Sequence, residues 1–106
     1  MKTQLYNYLV QTLNGKLQWG FNDSLGQYQG IDRMGSQYFL KLGYSSAEDV
    51  FLVIHGNDQE IIYDCDTAAV QDEEEREILQ ALMKAVTMLY RDQRDDKDAI
   101  FINRLR

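Results

Sequence analysis

The sequence predicts an α+β fold in which an antiparallel sheet of four to six strands is covered by one long helix. Three features indicate this architecture: helical periodicity over about 72–91, an unbroken apolar run at 50–54, and shorter strand-like segments on both sides of that run. The 106 residues suffice for one hydrophobic core but not for two, so we expect a single domain over 1–106.

The first segment has the apolar spacing of a helix. Its apolar residues recur at intervals of three and four: Leu5, Tyr6, Leu9, Val10 and Leu13. This spacing predicts a short helix over about 3–13 that ends at Asn14 and Gly15. An Asn-Gly pair also favours a tight hairpin, and Leu17, Trp19 and Phe21 alternate after it, so a strand pair is the alternative. The helix is preferred because the positions before Asn14 do not alternate.

Two short strands are expected before the central apolar run. Turn-forming residues are frequent between Gly20 and Gly35, and Tyr28 and Ile31 indicate a short strand among them. At 38–42 the large apolar residues alternate, which is typical of a strand with one face buried and the other partly so. Gly43 is expected to end that strand.

The run at 50–54 is the clearest strand. Its residues are apolar without a break and rich in β-branched side chains: Val50, Phe51, Leu52, Val53 and Ile54. Such a run is typical of a strand that is covered on both faces or lies at the centre of a sheet. Turn residues follow at 55–59, and Ile61, Ile62 and Tyr63 return, so we expect a hairpin.

The long helix over about 72–91 has a capped start and one apolar stripe. Asp72 and Glu75 form a capping-box pattern, and the acidic run at 72–75 suits the positive end of a helix dipole. The stripe follows helical spacing and is expected to face the core: Ile78, Leu79, Leu82, Met83, Val86, Leu89 and Tyr90. After a charged connection at 91–98, the apolar run at 99–102 is interpreted as a last strand, with a helix as the alternative.

Charge is distributed unevenly along the chain, whose net charge is −6. The segment 47–75, which we call the acidic segment, contains no basic residue and ten acidic ones: Glu48, Asp49, Asp58, Glu60, Asp64, Asp66, Asp72, Glu73, Glu74 and Glu75. This composition disfavours direct nucleic-acid contact, which depends on Lys and Arg. It favours a basic protein partner or a purely solubilising role, and the solubilising role is the commoner one.

No cofactor or metal is predicted from the sequence. Asp64, Asp66 and Glu75 match ligand positions of a calcium loop, but Ala68 and Ala69 occupy positions that need an oxygen ligand and a glycine. We therefore interpret the two aspartates as polar residues at the end of a strand.

The chain has one histidine, His55, and one cysteine, Cys65. A catalytic pair between them is not assigned, because no orienting group or oxyanion site accompanies them. A lone cysteine cannot form an internal disulfide, and no apolar run approaches the roughly 18 residues that cross a bilayer. The start of the chain also lacks a secretory leader pattern. These features indicate a cytoplasmic protein without membrane contact.

Two classes of function follow. The first is a small protein-interaction module without catalytic activity, which binds a partner through its sheet face or through an acidic surface formed by Glu48, Asp49, Asp58, Glu60, Asp64, Asp66, Glu73 and Glu74. One version of it is an acidic inhibitor that mimics nucleic acid at a basic cleft. The second class is a small-ligand-binding protein or enzyme with a pocket between sheet and helix. An edge strand also leaves a homodimer open.

Overall fold

The computed structural model describes the backbone of residues 2–32 and 38–105, and the side chains of those ranges as far as residue 90. The elements follow one another as α1 (Lys2–Leu13), β1 (Trp19–Asn22), β2 (Gln27–Asp32), β3 (Tyr38–Tyr44), β4 (Val50–His55), β5 (Ile61–Asp66) and α2 (Glu73–Leu105). The five strands form one antiparallel sheet, with a helix before it and a helix after it. The predicted α+β fold is therefore confirmed.

The sheet is a meander in which each strand pairs with the next one along the chain, in the order β1-β2-β3-β4-β5. One face, which we call the covered face, packs against the helices and buries Leu40, Leu42, Leu52, Ile54 and Cys65. The opposite face, which we call the open face, carries the alternate residues. One row across it runs through Gln29, Lys41, Val53 and Asp64. Of the two alternatives expected for β4, an interior position in the sheet is the one observed, and cover on both faces is not, because both helices lie on one side.

The two helices run in the same direction along the covered face. Lys2, at the start of α1, lies 2.9 Å from the carboxylate of Asp72, and Tyr90 on α2 donates a hydrogen bond of 3.3 Å to the carbonyl of Leu17 after α1. The apolar stripe predicted for α2 forms its packed side, since Leu79, Leu82, Met83 and Val86 are buried. Leu89 departs from the prediction, because its side chain is 46% exposed.

A buried polar network joins α1 to β1 and β2. Tyr8 donates a hydrogen bond of 3.0 Å to the carboxylate of Asp32, and the indole N–H of Trp19 donates one of 3.0 Å to the hydroxyl of Thr12. That hydroxyl in turn donates to the carbonyl of Tyr8 at 2.7 Å. Burial, with a contribution from Asp32, raises the pKa of Tyr8 to about 12. The network orients α1 on the sheet through groups that are satisfied internally.

The preferred helix over about 3–13 is confirmed, whereas the predicted end of the long helix needs correction. The hairpin considered around Asn14 does not form, because α1 continues to Leu13 and the N–H of Asn14 still donates to the carbonyl of Val10 at 2.9 Å. Gly15 then turns the chain with a φ of 75°. The long helix does not end near residue 91, and 99–102 is helical rather than a strand. A short apolar run fits either structure, and no glycine or proline follows Gly56 to stop the helix.

Candidate functional site

Some carboxylates of the acidic segment stabilise the local backbone. Asp49 accepts hydrogen bonds from the hydroxyls of Ser46 at 3.0 Å and Thr67 at 3.1 Å. Asp66 accepts the N–H of Ala68 at 3.0 Å. Both carboxylates belong to half-buried residues at the ends of strands β4 and β5. These two carboxylates therefore stabilise the loops next to β4 and β5 through hydrogen bonds.

Asp72 has the capping role that the sequence predicts. Its Oδ1 atom accepts the N–H groups of Glu74 at 3.0 Å and Glu75 at 3.2 Å, as an N-cap residue does. Its Oδ2 atom lies 2.9 Å from the ammonium of Lys2, which also lies 3.4 Å from Glu74. The ion pair with Lys2 and the backbone N–H groups lower the pKa of Asp72, and the same pair raises the pKa of Lys2.

Glu75 does not complete the capping box, because its carboxylate accepts a hydrogen bond from the Tyr63 hydroxyl instead. This bond ties β5 to the first turn of α2. Burial raises the pKa of Tyr63 above its ordinary value, and contacts with Cys65 and Glu75 add to that shift. Burial also raises the pKa of the Cys65 thiol. The negative charges of Glu75, Asp66 and Asp64 raise it further. Carboxylates from β5 and from the first turn of α2 therefore lie near the Cys65 thiol.

The other acidic residues proposed for binding are exposed. Asp58 and Glu60 lie in the turn before β5, Asp64 lies on β5, and Glu73 and Glu74 lie in the first turn of α2. We call these five residues the acidic margin. It follows β5, which spans roughly 20 Å at about 3.3 Å per residue. Glu48 is also exposed, but it lies apart, in the loop between β3 and β4.

The open face adds an apolar surface that the sequence pattern alone did not single out. Ile31 is 40% exposed and Phe39 is 41% exposed, and they are cross-strand neighbours. Together with Lys41 and His55 they line a shallow depression of about 1010 Å³. The signal for this surface was present in the sequence, since Phe39 and Lys41 alternate with buried leucines.

The candidate catalytic pair is not assembled. His55 lies in the row of the open face with Phe39, and its Nδ1 atom is 3.3 Å from the carbonyl of Gln59. Cys65 is buried in the core against the covered face. The two side chains are therefore on opposite sides of the sheet. Over residues 2–32 and 38–90, no three His, Cys, Asp or Glu side chains converge in a way that could hold a metal ion.

The space between sheet and helices is filled by side chains. Leu52 from the sheet and Leu79 and Leu82 from α2 have 0% exposure. One hollow lies at the margin of this layer, between α2 and the loop after β3, where Tyr44, Glu48 and Met88 line it. The pocket expected for a ligand-binding protein or an enzyme therefore gains no support from the packing of this layer.

Comparisons with protein-family models, with curated proteins and with solved structures found no match to this chain. Neither α1 nor the described part of α2 contains an apolar stretch of the length and hydropathy that crossing a bilayer requires. The fold and the surface described above define a small α+β protein with an acidic margin beside an edge strand.

Proposed function

We propose that the protein is a small protein-interaction module without catalytic activity, which binds a basic protein partner through the acidic margin. One observation carries this proposal: the bond between Tyr63 and Glu75 brings the acidic start of α2 next to β5. Asp64 is exposed on β5, and Asp58 and Glu60 are exposed in the turn before it. The two acidic stretches therefore border the same edge of the sheet, with Asp64 on the open face and the start of α2 on the covered face. An inhibitor that occupies a basic nucleic-acid-binding cleft is one form of such a module.

Uncompensated charge supports the proposal. Within the part of the chain whose side chains are described, the ion pairs of this surface come from Lys2, which contacts Asp72 and Glu74. Asp58, Glu60 and Asp64 have no cation beside them in that part of the chain. Exposed like charges repel one another, and a basic partner would relieve that repulsion while gaining from steering during approach.

The test begins with retention of a partner on immobilised protein and its identification by mass spectrometry. The partner is then purified, and its affinity is measured at roughly 0.1 M and 1 M salt, between which the Debye length falls from about 10 Å to about 3 Å. A basic partner whose affinity falls steeply with salt supports the proposal. An affinity that is the same at both salt concentrations would overturn it.

A matched pair of variants separates the acidic margin from net charge. Asp64→Lys reverses one charge beside β5, and Asp23→Lys makes the same change in the turn between β1 and β2, at the far edge of the sheet. Both positions are exposed, so both variants should fold, which circular dichroism checks. We expect Asp64→Lys to lower the affinity for the partner and Asp23→Lys to leave that affinity nearly unchanged. Equal losses would show that net charge alone governs binding.

A further inference from the structure

Resting on the proposed function, we propose that the partner contributes an extended segment, with Lys or Arg at alternate positions, which pairs with the edge strand β5 as a sixth strand. The occupant is thus a basic strand of another protein. Binding in this mode combines main-chain hydrogen bonds along the edge with side-chain contacts on alternate residues. Three features of β5 support such pairing: the direction of its backbone groups, its exposed side chains and its charge.

The pairing register between β4 and β5 determines which backbone groups of β5 point away from the sheet. Thr67 donates its N–H to the carbonyl of Val50 at 2.9 Å, directly after the last strand pairs. In an antiparallel ladder, residues bonded to the partner strand alternate with residues that are not. Cys65 therefore faces β4 with its N–H and C=O, whereas those of Asp64 lead outward.

A second contact agrees with this direction. The carbonyl of Asp66, two residues after Asp64, accepts the N–H groups of Ala69 at 2.9 Å and Val70 at 3.0 Å, both of which lie outside the sheet. The free main-chain groups are then the N–H and C=O of Asp64 and the N–H of Asp66. Among the described strands, β5 pairs with β4 alone, so this edge is open to another strand.

The side chains of β5 are more typical of an edge strand that binds a partner than of one whose charges only prevent aggregation. Proteins usually blunt an edge strand with charge, and Asp64 could serve that purpose. However, Ile61 is 63% exposed and Ile62 is 46% exposed on the same strand, which is a liability unless something covers them. Carboxylates beside exposed apolar residues suit a segment that alternates basic and apolar side chains.

Charge also selects the occupant. An added strand places a side chain about 4.5–5.5 Å from that of Asp64, and unlike charges at this distance attract. A second copy of β5 would instead bring Asp64 and Asp66 of both chains together, and like charges across a ladder are destabilising. The acidic margin therefore disfavours self-pairing and favours a basic strand.

The test uses a fluorescently labelled, acetylated peptide of about six residues that alternates Lys and Val, which is a common strand length. Its binding is followed by anisotropy, and the control peptide has the same sequence with methylated amides on the edge that would face β5. Methylation removes the peptide N–H that would donate to the carbonyl of Asp64 and places a methyl group against the edge, so binding should weaken by about fivefold or more. A peptide that alternates Glu and Val should not bind. Slower hydrogen exchange at the amide of Asp64 in the complex would support pairing at this edge.

Two variants at one position isolate the main-chain contribution. Asp64→Asn and Asp64→Pro remove the same charge, but only proline removes the outward N–H, and β5 is an edge strand where proline is tolerated. We expect Asp64→Pro to bind the Lys-Val peptide several-fold more weakly than Asp64→Asn. If Asp64→Pro does not fold, the methylated peptide gives the same comparison on the unmodified protein.

The outcomes separate this inference from the proposed function. Equal binding of the methylated and unmethylated Lys-Val peptides overturns strand pairing, even where Asp64→Lys weakens the natural partner and so supports the proposed function. Absence of binding by the Lys-Val peptide also overturns strand pairing, and means that the edge charges only protect β5. A dimer that forms through β5 on concentration, seen by sedimentation and by slower exchange at Asp64, would overturn it in favour of a second copy.

Discussion

The covered and open faces of the sheet use neighbouring residues of the same strands, yet they contribute differently to the protein. On β4, Leu52 is 0% exposed and Ile54 is 3% exposed, whereas Phe51 and Val53, which alternate with them, are only half-buried. The difference arises because α1 and α2 pack on one face, as is common for antiparallel sheets. The covered face therefore contributes most of the buried packing, whereas the open face and β5 keep side chains exposed.

The largest expected effect compares two adjacent residues of β4. Leu52→Ala should lower the free energy of unfolding by about 2–5 kcal/mol, because it removes a fully buried side chain and leaves a cavity. Val53→Ala removes half-buried methyl groups and should cost about 1 kcal/mol. Urea denaturation of both variants measures the difference. Equal costs would mean that the open face is covered in solution.

The next effect tests the polar network under the covered face. Tyr8→Phe removes the hydrogen bond to Asp32, which is 4% exposed, and should cost about 1–3 kcal/mol of unfolding free energy. Tyr28→Phe is a suitable control, because Tyr28 is only half-buried and lies against Phe21 in an edge-to-face ring contact. If Tyr8→Phe costs no more than Tyr28→Phe, the network does not hold α1 on the sheet.

The same residue predicts a pH dependence. The pKa of Tyr8 is raised from 10.0 to about 12, so the folded protein retains a proton that the unfolded chain loses above about pH 10. The stability from this group is complete below pH 10 and is lost as the pH rises towards about 12. Urea denaturation of the native protein and of Tyr8→Phe at pH 8 to 11 measures this contribution. That pH range brackets the tyrosine pKa of about 10 in the unfolded chain. The stability difference between them should shrink with rising pH.

A smaller effect on stability is expected from acidic residues, and it should differ between Asp72, which caps α2, and Asp58, which lies in an exposed turn. Asp72→Ala removes the N-cap of α2 and should lower the urea midpoint, whereas Asp72→Asn retains a capping side chain and should lower it less. The pKa of Asp72 is lowered, so its stabilisation is present above the unfolded pKa, near 3.8, and is lost as the pH falls through the folded value. Asp58→Ala, at an exposed turn position, should leave the midpoint within error.

Reversing charge in the acidic margin is expected to affect binding more than stability. The double variant Glu73→Lys, Glu74→Lys should keep its circular dichroism spectrum, at a cost of about 0.3–1 kcal/mol for each charge placed against the helix dipole. It should nevertheless impair binding of the basic partner, measured against Asp23→Lys as a control at the far edge of the sheet. Unimpaired binding would assign the start of α2 a purely structural role.

The local sequence allowed prediction of the elements but not all of their ends. The spacing of Leu79, Leu82 and Val86 identified the packed side of α2, and Asp72 identified its start. Both signals depend on residues within one or two turns of each other. The end of α2 was missed because the run at 99–102 fits a strand or a helix equally well.

The candidate site was predictable in composition and not in arrangement. The sequence by itself determined that 47–75 is acidic and that β4 is a strand, because charge and apolar pattern are properties of consecutive residues. Only the tertiary structure decided that Glu75 bonds to Tyr63 rather than to its own helix, that Asp49 and Asp66 brace loops, and that β5 is an open edge. Those outcomes depend on which strands pair and which face the helices cover, and hence on contacts between residues distant in the chain.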